Sequence, residues 1–151
     1  MSPEAAAILR FLREIGIEAR EGVVDGETFL PGMRVESGAI VYDAERLKYP
    51  GDLLHEAAHI AFTPLANRSA LSDDMQTDAG DEMAAMAWSY AAAVHLDLDP
   101  AIVFHAHGYR GEGASIHENF RARRYVGVSM LQWREMTTDA AYPAMTKWLA
   151  D

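Results

Sequence analysis

Leu53-Leu54-His55-Glu56-Ala57-Ala58-His59-Ile60-Ala61-Phe62 is the stretch on which the rest of the chain depends, because it sets the pattern HExxH within an apolar run. A helix advances about 100° per residue, so residues four apart lie roughly 40° apart around the axis and one turn apart along it. His55 and His59 can therefore turn both imidazoles toward one ion. Glu56 falls on the adjoining edge of the same face, where a carboxylate can act on water instead of binding the metal. The flanking residues Leu53, Leu54, Ile60, Ala61 and Phe62 predict a core helix. Burying two histidines and a glutamate in such a helix without partners would be costly.

The composition narrows what surrounds this helix. A chain of 151 residues with 50% hydrophobic content suffices for one domain, expected to span 1–151. The net charge of -10 argues against nucleic acid and against an anionic membrane surface as partners, since both attract concentrated Lys and Arg. Arg121, Arg123 and Arg124 are the only basic cluster, and they read as a solvated helix face. There is no Cys, so a metal must be held by His and carboxylate. Met1-Ser2-Pro3-Glu4 carries an acid where a signal peptide has basic residues, and Met83 to Leu98 is too short and too broken to span a bilayer. A cytoplasmic, bacterial-type protein is expected.

Along the chain, Ser2-Pro3 is a helix start, and Ile8, Leu9, Phe11, Leu12 and Ile15 follow at helical spacing up to Gly16. Ile17 to Tyr42 shows short alternations broken by glycines, which predict strands and turns, clearest at Ala39-Ile40-Val41-Tyr42. Asp52 opens the HExxH helix and Thr63-Pro64 ends it. Leu65 to Gly80 reads as a polar connection beside the site, with Asp73, Asp74 and Asp78 able to accept a ligand His N–H. Asp81-Glu82 then opens a helix rich in alanine, which permits close approach to the HExxH helix. The predicted class is α+β: a small N-terminal antiparallel or mixed sheet, the HExxH helix, and a helical C-terminal half.

Catalytic zinc takes three protein ligands and keeps one position for water, so one further donor is required. Glu82, 23 residues after His59, is the first choice. Asp78 and Asp81 compete, Asp81 more plausibly as an N-cap.

This ensemble resembles the zincin metallopeptidases whose third ligand is a glutamate, the gluzincin arrangement, and among them the compact ImmA/IrrE-type domain. The resemblance covers about 35 residues. It implies that His55, His59 and Glu82 hold a Zn2+ ion, with other divalent metals compatible, and that Glu56 activates a metal-bound water against the carbonyl of a peptide or protein substrate. It also implies an extended strand beside the site able to pair with that substrate, either Ala39–Tyr42 or Met33–Glu36. Where the family places Asn or Asp soon after its ligand Glu, this chain has only Ala84 to Ala87 with Met86. A donor for the developing oxyanion is sought in Phe104 to Gly113. His105, His107, Tyr109 and Arg110 have suitable chemistry, with Tyr109 preferred as a catalytic residue. His105 and His107 could also form a separate metal pair, whereas His95, His117 and Glu118 read as structural or surface residues. The competing reading is a zincin-like module that binds metal or a protein partner without turnover.

Overall fold

A computed structural model of the chain describes residues 1–73 and 77–151. Its helix α1, Pro3–Ile15, begins as the sequence dictates. The Ser2 side chain accepts the Ala5 N–H at 3.1 Å, and Gly16 closes the far end with φ of 100°. Strands β1 (Ala19–Glu21), β2 (Met33–Glu36) and β3 (Ala39–Tyr42) form a mixed sheet in the order β1-β3-β2. β3 runs parallel to β1 and antiparallel to β2. All four residues of β3 are buried, as a central strand covered on both faces requires.

Helix α2, Gly51–Phe62, carries HExxH and stops before Pro64. Helix α3, Ala79–His95, packs along it. Small side chains permit that approach: Ala57, Ala58, Ala61, Ala84, Ala85, Ala91 and Ala92 are all buried, and Ser89 Oγ donates to the Leu54 carbonyl across the interface at 3.3 Å. The start of α3 differs from expectation. Asp78, not Asp81, is the N-cap; Asp81 is the reciprocal member of the capping box, three residues in, and returns its carboxylate to the Asp78 N–H. This places Glu82 in the first turn.

The C-terminal half continues through a short 3-10 turn at Pro100–Ile102, then α4 (Gly113–Arg121) and α5 (Val128–Trp133). Trp88 donates its indole N–H to the Trp148 carbonyl at 2.9 Å, and Phe11 meets the Trp148 ring edge-on, so the two ends of the chain close over α3. The start of α2 is equally tight: a Cβ on Gly51 would lie 1.9 Å from the Ile102 carbonyl oxygen, so only glycine lets the 3-10 turn sit against α2. Arg121, Arg123 and Arg124 are exposed. No helix among the described residues is long and apolar enough to cross a membrane.

Candidate metal centre

α2 and α3 bring His55, His59 and Glu82 to one point. His59 Nε2 lies 3.3 Å from His55 Nε2 and 3.1 Å from Glu82 Oε1, and His55 Nε2 lies 3.5 Å from Glu82 Oε2. Donors about 2.0–2.1 Å from a tetrahedral ion are separated from one another by about 3.3–3.4 Å. The separations lie near that value, with the two histidines meeting different oxygens of the Glu82 carboxylate, so two imidazoles and a carboxylate could hold one metal ion here. Asp78 and Asp81 are engaged in the helix cap, so of the three acids weighed as third donor only Glu82 faces the histidines.

The site's electrostatics follow from its burial. Burial, helped by the neighbouring His59, lowers His55 to about 4, which leaves its imidazole neutral and able to ligate. Burial also pulls His59 down, but the hydrogen bond and charge of Glu82 outweigh it and the net shift is upward. Glu82 in turn is held down at about 2, first by its hydrogen bond with His59, and the Thr77 hydroxyl donates to its Oε1 at 2.8 Å. Glu56 is not one of the three grouped donors. Burial raises its carboxyl to about 7, the poise of a group that exchanges a proton near neutrality.

The triangle lies between two clefts that share Phe29, Thr77 and Glu82. One, of about 410 Å³, has an apolar floor of Val35, Ile60, Phe62 and Leu71 and also contains Glu56 and His59. The other, of about 560 Å³, is lined by Asp52, His55, His105, Tyr109 and Arg110. They adjoin at those shared residues.

The structure places Tyr109 at the site, on a specific atom: its hydroxyl is 2.9 Å from His55 Nδ1, the ring nitrogen away from Glu82 and His59. There it can accept the Nδ1–H of a histidine whose Nε2 holds a metal. Of the acids expected to serve that purpose, the two described have other partners. Asp73 accepts the Val35 N–H, Asp78 caps α3, and Asp74 lies outside the described residues. His105, considered with His107 as a metal pair, has both ring nitrogens engaged: Nε2 bonds Asp52 Oδ1 at 2.8 Å and Nδ1 accepts the His107 N–H at 3.2 Å. That partnership was not foreseen, although Asp52 sits one turn before His55 on the same helix face.

Of the two strands considered for pairing with a substrate, β3 is bonded on both sides and is therefore closed to one. β2 is the edge strand. Its Val35 N–H and C=O are already taken by the Asp73 carboxylate, at 2.7 Å, and the Asp73 N–H, at 3.2 Å. No protein-family model, curated protein or solved structure matches this chain.

Proposed function

We propose that the chain is a single-domain, zinc-dependent hydrolase of the zincin type that cleaves peptide bonds. The observation that carries this reading is the conjunction of a three-donor cluster, His55, His59 and Glu82, with a half-buried carboxyl, Glu56, next in sequence to one donor and poised at about 7. A divalent ion in the triangle would supply Lewis acidity for a water and a carbonyl oxygen. Glu56 takes a proton from the attacking water and delivers it to the leaving amine. His55 and His59, neutral when ligating, leave one negative protein donor, Glu82, so the site stays cationic overall and favours a developing oxyanion. The apolar floor of the first cleft suits a large aliphatic or aromatic side chain of the substrate beside the scissile bond.

The ligand chemistry fits zinc, because two imidazoles and a carboxylate match its preferred donor number and leave a fourth position for water, although the same donors accept other divalent ions and bind copper(II) more tightly still. The ImmA/IrrE-type likeness rests on His55, Glu56, His59 and Glu82.

One observation favours the alternative, a metal-holding or partner-binding module without turnover: the Asp73 contacts occupy the edge of β2 where an extended peptide would add. The two readings separate on zinc-loaded protein incubated with a mixed peptide pool. Cleavage that disappears in Glu56→Gln, with zinc content unchanged, supports the hydrolase. Stoichiometric zinc without cleavage supports the module.

A further inference from the structure

The chemistry above leaves one buried acid of the second cleft unused. Asp52 is 4% exposed, and its Oδ2 is buried without a hydrogen-bond partner among the described residues. Burying a carboxylate in this way is costly, and an apolar residue of similar size would suit the core better, so the position calls for a role. Its other oxygen accepts from His105 Nε2 at 2.8 Å. The His107 N–H donates to His105 Nδ1 at 3.2 Å, which fixes the His105 proton on Nε2, and Tyr49 stacks on the ring with centroids 4.2 Å apart. Both nitrogens of His105 are therefore committed, and the ring acts as a peg.

What the peg holds is a strained turn. Tyr109, Arg110 and Gly111 follow one another with φ of 52°, 56° and 83°. Left-handed backbone is unfavourable for a tyrosine and an arginine, and such conformations persist where the surroundings over-determine them. The turn ends against its own start, since a Cβ on Gly113 would meet the Phe104 and His105 carbonyl oxygens at 2.6 Å. The outcome of this path is one contact, the Tyr109 hydroxyl on His55 Nδ1.

We propose that the Asp52–His105 pair is a clamp that holds the strained 105–111 turn in place so that Tyr109 fixes the ring plane and tautomer of His55 for metal binding. Asp52, His105 and Tyr109 are thus positioning residues. Asp52 and His55 belong to the same turn of α2, so the clamp and the ligand it serves are built on one rigid element. The proposal rests on the reading of the triangle as a metal centre.

The test is the zinc affinity of the full chain, measured by competition with a chelator, for wild type, Asp52→Asn, His105→Gln, Tyr109→Phe and the Asp52→Asn/Tyr109→Phe double variant. Each single change is expected to weaken zinc by about 10- to 100-fold, the range for lost partners of ligating residues. Because all act through one contact, the double variant should bind no more weakly than its weaker parent. Ile8→Ala, a core change on α1, serves as the control: it lowers the melting temperature but leaves zinc affinity unchanged. A merely structural clamp predicts that Asp52→Asn and His105→Gln behave like Ile8→Ala, and that result overturns the proposal. Multiplying effects in the double variant overturn it as well. If Asp52→Asn does not fold, His105→Gln with Tyr109→Phe completes the same cycle. Failure of wild type to take up zinc would instead refute the metal reading on which the clamp depends.

Discussion

Glu56→Gln in the chelator-stripped protein isolates the physical state of the proposed base. Burial raises the Glu56 carboxyl to about 7 against an ordinary value of 4.5. Its folded value is above its unfolded one, so the folded state binds more protons between the two, and its contribution to stability is complete below pH 4.5 and lost as pH rises through 7. The difference of 2.5 units, 7 minus 4.5, corresponds to at most about 3 kcal/mol at about 1.36 kcal/mol per unit. Glu56 retains some exposure, and solvent relaxation around it reduces the expected effect to about 1–2 kcal/mol. Glutamine has the same shape and no charge to bury. Urea unfolding followed by tryptophan fluorescence at pH 4.5 and pH 8 reads the difference directly: the variant should match wild type at the lower pH and exceed it by about 1–2 kcal/mol at the higher. Subtracting the two proteins at each pH removes every other titration they share. A difference that does not change with pH, or a wild type that gains on the variant as pH rises, would refute the account of Glu56 as a half-buried carboxyl poised near neutrality.

Other consequences concern α3. Glu82→Ala removes one of three donors and should weaken zinc by at least about a hundredfold while the far-ultraviolet circular dichroism stays unchanged; wild-type affinity would mean that Glu82 is not a ligand. Glu82, held at about 2, contributes stability that is present above pH 4.5 and lost as pH falls toward 2, so the metal-free Glu82→Gln variant should show a shallower acid transition than wild type in a pH titration of unfolding. Ala85→Leu inserts three carbons where the side chain is 1% exposed, one turn beyond Glu82. An overpacking cost of about 1–3 kcal/mol should lower the melting temperature by several degrees, and displacement of α3 should reduce zinc affinity as well.

Much of this arrangement is legible in the sequence because it is local. HExxH fixes two donors and the neighbouring acid on one helix, Ser2-Pro3 and Thr63-Pro64 mark helix ends, and the alanines of 84–93 announce close packing before any partner is known. Glu82 is reachable by the same logic, since a third donor must lie where a second helix returns. The identity of the α3 cap is harder, because Asp78 and Asp81 are chemically equal and only their reciprocal bonding assigns them. The partners of the ligands are least legible. Asp52 and His105 are 53 residues apart, and the path of the intervening chain is set by Gly51 packing on Ile102 and by the left-handed turn at Tyr109, neither of which has a periodic signature. The glycine-flanked position of Tyr109 before Arg110 marks it in the sequence as a candidate; the turn determines which atom its hydroxyl meets. Strand order is also non-local: β3 is the strongest strand signal because it is central, and for that reason it has no free edge.

X-ray absorption at the zinc edge, on protein loaded with one equivalent of zinc, addresses the centre itself. Two imidazoles, the Glu82 carboxylate and one solvent position predict four nitrogen and oxygen neighbours at about 2.0–2.1 Å, with outer-shell scattering from two histidine rings that drops to one in His59→Ala. A shell of six oxygens without imidazole scattering, or failure to retain one equivalent of zinc through gel filtration, would contradict the metal centre built from His55, His59 and Glu82.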